Sequence, residues 1–282
     1  MDQTRWRLDK NLILSGAGKA VRIKGDSDPN MANIIRRKVR AISRRFGYAI
    51  LDLHKDQATD LFVPGHLMKI FDRLKINCVI DVGANRGDYA ATLRHFGYTG
   101  RVVSIEPLPD VYAQLRERAA GDPGWDTLNF AVGQKEEVRP LKVYASRPLS
   151  SFLSPVPGID EIVLESEVTD VIPVTVKTID AIFKDLVRGI SDPRVFLKLD
   201  TQGCDLEVMK GSLASLKQVH GIQSEISVIP LYEGMPDYVQ SLDFFYKLGF
   251  LPTGFFAVTG HRNTGRVIEF DVVLTRLADQ PS

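Results

Sequence analysis

The sequence predicts an α/β fold: a doubly wound sheet, mostly parallel with a reversed last strand, behind a helical N-terminal extension. Three observations carry this prediction. Short β-branched runs closed by glycine or acidic residues alternate with amphipathic stretches from about residue 78 to residue 248, as in βα units on a parallel sheet. Two alternating segments joined by a loop through Gly260, His261 and Asn263 then end the chain, as an antiparallel pair would. Polar residues recur where the predicted parallel strands stop, and a doubly wound sheet takes its ligand outside those carboxyl ends.

In chain order, the first fifty residues come first. They hold twelve Lys and Arg against four Asp and Glu, although the whole chain carries a net charge of only +1. Glycines, aspartates and Pro29 make residues 1–30 a loosely packed stretch in expectation. Gly16-Ala17-Gly18-Lys19 lacks the spacing and preceding strand of a phosphate loop. From Asn30 or Asn33 to about Arg45, Ile35, Val39 and Ile42, with Phe46 just beyond, recur at helical spacing on a basic surface. This predicts an accessory helix with a solvated basic face, and attraction to an anionic membrane surface or an acidic substrate is the second reading. Residues 1–60 are assigned to this extension and residues 61–282 to the main domain.

Tyr48–Leu53 reads as a short strand, and Leu61–Leu74 reads as a helix. Cys78-Val79-Ile80-Asp81-Val82 is the central strand, because a short apolar run bounded by glycine suits a strand buried on both faces. A helix follows Gly87, with Tyr89, Ala90 and Leu93 inward. The second strand, Arg101–Ile105, ends at Glu106-Pro107, and a helix runs from Asp110 to Ala120. Thr127–Val132 is the third strand. Residues 134–175 are long for a βα connection and contain strands at Leu141–Tyr144 and Ile172–Val176 around a Ser/Pro-rich loop. An insertion of that length usually builds a lid or a substrate wall. The fourth and fifth strands are Val195–Leu199 and Gly221–Ile226, a helix covers Pro236–Leu248, and Leu251–Val258 and Val267–Leu274 form the closing pair.

Composition sets the outer bounds. A chain of 282 residues with 44% hydrophobic and 25% charged residues is ordinary for one large globular domain. Two cysteines far apart in sequence give neither a disulfide framework nor a zinc site, so a reducing cytoplasmic setting is expected. There is no apolar run of membrane-spanning length.

The turn Gly83-Ala84-Asn85-Arg86-Gly87 is where a ligand could approach bare backbone. A dinucleotide site wants a middle glycine that is missing here, which disfavours a nicotinamide-dependent dehydrogenase. Asp81, two residues before Gly83, suits a cationic ligand better than a phosphate. S-adenosylmethionine carries a sulfonium and an ammonium, and Glu106 at the end of the second strand suits the hydroxyls of a ribose.

Together these motifs resemble the FkbM-type methyltransferases. The resemblance runs from Val79–Asn85 through Glu106-Pro107 and Asn129–Gly133, then Val176–Asp180, Lys198–Asp200, Gly203, Leu206-Glu207 and Ser224-Glu225. It implies a class I methyltransferase (Rossmann-like) fold over roughly residues 75–275. It further implies use of S-adenosylmethionine and methylation of a hydroxyl on a sugar, glycolipid or natural product. By this resemblance Asp81, Gly83, Asn85 and Gly87 belong to the methionine end of the cofactor site and Glu106 to the ribose. Asn129 and Ala131 would lie against the adenine. Many members read Lys-x-Asp-x-Glu-Gly after the fourth strand, whereas this chain has Thr201-Gln202-Gly203, so no role carried by that Glu transfers here.

Methyl transfer to oxygen needs an aligned acceptor and a proton acceptor. Asp200 and Glu225 end adjacent predicted strands and admit three readings. They could be a general-base pair, ligands of a divalent cation such as magnesium, or structural groups, with Lys198 pairing a carboxylate and Asp200 capping the next helix. His95 and His220 read as surface residues. His54, His66 and above all His261, at the tip of the closing hairpin, could reach the cleft, although a loop histidine is more often solvated. Pro230-Leu231-Tyr232-Glu233 and Phe152 would line the acceptor pocket. An RNA methyltransferase is the alternative suggested by the basic N-terminus, but no aromatic-interleaved basic surface supports nucleic acid as partner. A non-catalytic protein that keeps the fold as a scaffold is the alternative of a different class.

Overall fold

The computed structural model describes residues 12–14, 20–22, 59–158, 167–261 and 264–279. The expected basic helix, with its proposed membrane contact, the strand Tyr48–Leu53 and His54 lie outside these residues. The chain divides into two units, Met1–Gln57 and Ala58–Ser282. In the first, β1 (Leu12–Leu14) and β2 (Ala20–Arg22) pair antiparallel.

The second unit opens with α1 (Thr59–Leu74) and β3 (Cys78–Val82). It continues through α2 (Asp88–His95), β4 (Arg101–Ile105), α3 (Pro109–Ala119) and β5 (Trp125–Leu128). The insertion supplies β6 (Ala131–Val132), β7 (Glu137–Tyr144) and β8 (Val168–Lys177). Then come α4 (Ile179–Leu186), β9 (Val195–Leu199), α5 (Asp205–Lys210) and β10 (Val219–Ser227). α6 (Tyr238–Lys247), β11 (Phe250–Gly260) and β12 (Val267–Arg276) complete it.

The main sheet has the order β11-β12-β10-β9-β3-β4-β5, parallel from β10 through β5. β12 is reversed and sits between β10 and β11. The central strands are apolar on both faces because both faces are covered. Cys78, Ile80 and Val82 join a core with Phe183, Leu186, Val208 and Phe245, while Val79 points into a second core with Leu67, Phe71, Leu93 and Leu115. Each such buried side chain contributes about 1.5–3 kcal/mol.

Local signals set the helix ends. Gly87, at φ 80°, turns the chain into α2, whose first residue is acidic and whose last turn carries Arg94 and His95, matching the helix dipole. Pro109 starts α3, and Asp237 with Gln240 forms a capping box on α6. α4, not expected from sequence, is capped by the Thr178 hydroxyl. Asp180 in its first turn accepts from the backbone N–H groups of Ala214 and Ser215 and from the Ser215 hydroxyl.

Thr127–Val132 is two strands, not one. β5 ends at Leu128, while Ala131 and Val132 leave the main sheet to pair with β8. The break falls at Asn129, whose side-chain amide donates to the carbonyls of Glu106 (2.8 Å) and Pro107 (3.1 Å). β6, β8 and β7 form a small second sheet beside the carboxyl ends of the main one. Among the described residues no helix is long and apolar enough to cross a membrane.

Candidate active site

A cleft of about 220 Å³ opens at the carboxyl ends of β3, β4, β9 and β10. Its walls are the turn after β3 (Gly83, Asn85), the end of β4 (Glu106, Pro107, Leu108), the β6 segment (Phe130, Ala131, Val132) and the insertion (Arg147, Ser151, Phe152). Asp200, Gln202 and Glu225 close it at one side.

Glu106 is buried, with 6% of its surface exposed. Its Oε2 accepts the Asn85 N–H and its Oε1 the Leu108 N–H, both at 2.9 Å. Burial outweighs those two bonds and pushes the carboxyl up to about 7. The carboxylate is thus held rigidly in the cleft, and each oxygen keeps a lone pair for a further donor.

The Gly83–Gly87 turn works differently from the expectation of free amides facing a ligand. The N–H groups of Gly83 and Ala84 both donate to the Ile105 carbonyl, Asn85 N–H to Glu106, and Gly87 N–H to Ala84. Gly83 is required by packing. Its φ is +79°, and a Cβ there would stand 2.0 Å from the Asp200 carbonyl oxygen. Gly87 does not line the cleft, and a Cβ there would meet Trp125 and Leu115. Asn85, at φ 48°, holds a left-handed conformation without being glycine. Its Oδ1 is a buried acceptor that no donor among the described residues satisfies.

Asp81 also departs from its expected place. It is 1% exposed and lies outside the cleft lining. The Ser104 hydroxyl donates to it at 3.0 Å, Trp125 Nε1 donates to Ser104, and burial raises its carboxyl to about 6. It therefore supports the turn from beneath. Asn129 is exposed and braces the Glu106-Pro107 backbone, whereas Ala131 does line the cleft. His261 is outside the lining, and its backbone closes the β11–β12 loop with Arg266 and Gly265. His66 meets Thr253. His220 is not a surface residue but sits between Arg194 and Asp279.

Asp200 and Glu225 are brought together through a residue that sequence reasoning missed. Gln202 Nε2 donates to Asp200 Oδ1 at 3.0 Å and to Glu225 Oε2 at 3.2 Å. The Gln202 side-chain oxygen lies 2.9 Å from the Tyr232 hydroxyl, and its backbone carbonyl accepts from Ser151 at 2.7 Å. At φ 49° Gln202 is itself left-handed. Lys198, buried beneath the Tyr89 ring, donates to Asp200 Oδ2 at 3.0 Å. Asp200 does not cap α5, whose N-cap is Cys204. Tyr232 is 1% exposed and so stands behind the pocket, while Phe152 lies on its wall under the Arg139 guanidinium.

A divalent cation does not fit Asp200 and Glu225. The group lying between the two carboxylates is an amide N–H donor, Asp200 is already paired with an ammonium, and no group of three or more metal-ligating side chains occurs among the described residues. S-adenosylmethionine fits better. The cleft has a fixed carboxylate for two hydroxyls, an unsatisfied acceptor at Asn85 for an ammonium, and an apolar wall of Pro107, Leu108 and Phe130 for a base.

A seven-stranded sheet with this order and one reversed strand, bearing a cleft at the carboxyl ends of its parallel strands, is that of a class I methyltransferase. The family model for the methyltransferase FkbM domain matches residues 81–252, more than half of the chain, and the chain belongs to that family. Solved structures similar to it include an FkbM methyltransferase from Methylobacillus flagellatus KT, at 18% identity and a TM-score of 0.43. That alignment covers 70% of this chain and 43% of the other, so the chain spans less than half of that protein's length. A 1,6-didemethyltoxoflavin-N1-methyltransferase from Burkholderia thailandensis, with S-adenosylhomocysteine bound, is 12% identical over 94% of this chain and 99% of its own, at a TM-score of 0.40. Fibrillarin from Aeropyrum pernix with S-adenosylmethionine is 10% identical over 72% and 68%, at 0.38. No curated protein matches the chain.

Proposed function

We propose that this chain is an S-adenosylmethionine-dependent O-methyltransferase acting on a neutral hydroxyl acceptor such as a sugar, glycolipid or natural product. The observation that carries the reading is Glu106, a buried carboxylate fixed by two backbone N–H groups at the end of β4 and facing the cleft. In that position it would hold the ribose hydroxyls, with Asn85 Oδ1 toward the ammonium and Ala131 and Phe130 beside the base. The cofactor supplies an activated methyl group on a sulfonium.

The chain's own task is then to place the acceptor and take its proton. Asp200 lies on the cleft wall, paired with the Lys198 ammonium and accepting one Gln202 N–H, and it accepts the hydroxyl proton as the oxygen gains the methyl group. Ser151 and Phe152 from the insertion wall off the acceptor side. The cation on the lining, Arg147, is engaged by Asp110 at 3.1 Å. An acidic side with its cation already paired favours a neutral acceptor over a phosphodiester backbone.

Incubation with methyl-labelled cofactor and a panel of polyhydroxylated acceptors tests the reading. Label should enter an alkali-stable ether, and Asp200→Asn should lose transfer while binding S-adenosylhomocysteine as before. Label appearing only on nitrogen, or undiminished transfer by Asp200→Asn, would contradict it.

A further inference from the structure

The two carboxylates beside Gln202 are provisioned unequally. Asp200 receives a charged donor, Lys198, and one amide hydrogen. Glu225 receives the other amide hydrogen alone, at 3.2 Å. Its other charged neighbours are acidic apart from the Lys198 ammonium, which donates to Asp200 and not to Glu225. Asp271 lies directly opposite it in the β10–β12 register, and Glu269 is two residues along the same strand on the same face. Those neighbours have donors of their own. The Ser227 hydroxyl donates to Glu269, the Gln223 side chain to Asp271, and Asp205 beyond them takes Ser224 and Thr201. Tyr232 stands behind, its hydroxyl directed to Leu149 and Gln202. One ammonium therefore serves a group of five carboxyls: Asp200, Asp205, Glu225, Glu269 and Asp271. Burial of several carboxyls around one ammonium favours keeping a proton on the member with the fewest donors.

Within this group, we propose that Asp200 and Glu225 take opposite parts: Asp200 accepts the proton of the hydroxyl being methylated, while Glu225 stands as a neutral carboxylic acid that donates a hydrogen bond to a second oxygen of the acceptor. The proposal rests on the hydroxyl-directed reading and sharpens it. A carboxylate acceptor and a carboxylic-acid donor, held in register by one amide, suit two neighbouring oxygens, one protonated and one accepting. The acceptor class is thus a vicinal diol or hydroxy-ether, as on a sugar ring, and not an isolated alcohol. Burial and the acidic neighbours, Asp200 first among them, drive the Glu225 carboxyl well above the usual carboxylate range, consistent with this division.

Infrared difference spectroscopy on the full chain tests the protonation directly, with no need for the acceptor. At pH 8 Glu106 and Glu269, each near 7, are mostly ionised. A carboxylic-acid C=O band should persist at that pH in the wild type, survive Glu269→Gln and vanish in Glu225→Gln. In Asp200→Asn, which removes the adjacent negative charge, loss of the band should move at least about one pH unit lower. No band at pH 8, or a band that survives Glu225→Gln, overturns the proposal. Should Glu225→Gln not fold, the Asp200→Asn shift makes the assignment, and its absence counts against it. Calorimetry with S-adenosylhomocysteine on the same samples separates the two ideas: a silent titration beside a persistent band would sink the cofactor reading, and with it the part given to Asp200 in methyl transfer, while the protonated Glu225 would stand. With a labelled cofactor, a vicinal diol should be methylated at least tenfold faster than its monodeoxy analogue. Equal rates would overturn the acceptor assignment.

Discussion

Gly83→Ala is the substitution whose cost the structure specifies best. Three effects add. A residue with a Cβ at φ +79° pays about 1–2 kcal/mol for the left-handed conformation. The methyl carbon would lie 2.0 Å from the Asp200 carbonyl oxygen and 2.9 Å from its carbon, so β9 must retreat by more than an ångström at its carboxyl end. Overpacking of that kind costs about 1–3 kcal/mol. The retreat also strains the Asp200 N–H bond to Val82 at 3.0 Å, worth about 1 kcal/mol. The expected loss is about 4 kcal/mol, measured by urea denaturation followed by circular dichroism. Gly249→Ala is the control, because φ is +82° there with nothing within 4 Å, and it should cost about 1 kcal/mol. Equal losses at the two positions would refute the argument that the approach of β9 to β3, and not backbone conformation alone, dictates Gly83.

Two further outcomes follow from the charged groups. Ribose hydroxyls donate to the ionised form of Glu106, so a proton must leave on binding below about pH 7; affinity for S-adenosylhomocysteine should rise by up to about tenfold per pH unit toward 7 and then level off. Glu106→Gln should abolish that slope, and a pH-independent wild type would contradict the placement. Gln202→Glu replaces the bridging N–H donor with a further acidic group beside Asp200 and Glu225 and should destabilise the fold by about 2 kcal/mol at pH 8. Because burial and the neighbouring acidic groups raise the folded-state value of Glu225, the deficit should shrink as pH falls toward 5 and protons return. Melting temperatures at the two pH values check this, and a deficit that grows toward pH 5 would oppose it.

Much of the fold could be read from the sequence because its signals are local. Cys78–Val82 is apolar throughout because both faces of a central parallel strand are covered, and Gly87, Pro109 and Asp237 mark helix starts wherever the chain is placed. The convergence of Glu106, Asp200 and Glu225 followed from strand ends alone. What sequence could not supply was direction and partnership. Asp81 is one residue away from facing the cleft, and strand alternation sends it into the core with Ser104. Asn129 reads as a base-binding side chain until Pro107 and Glu106 present carbonyls to it. In the sequence, Gln202 marks only the place where a carboxylate is missing. Its role appears once β9, β10 and the insertion bring Asp200, Glu225, Tyr232 and Ser151 around it.

The central claim is that the cleft beside Glu106 binds the methyl donor, and calorimetric titration with S-adenosylhomocysteine tests it most directly. The wild type should show one site of micromolar affinity, unaffected by EDTA or added magnesium, and lost in Glu106→Ala while the variant remains folded. No binding to the folded wild type, or binding undiminished in Glu106→Ala, would contradict it.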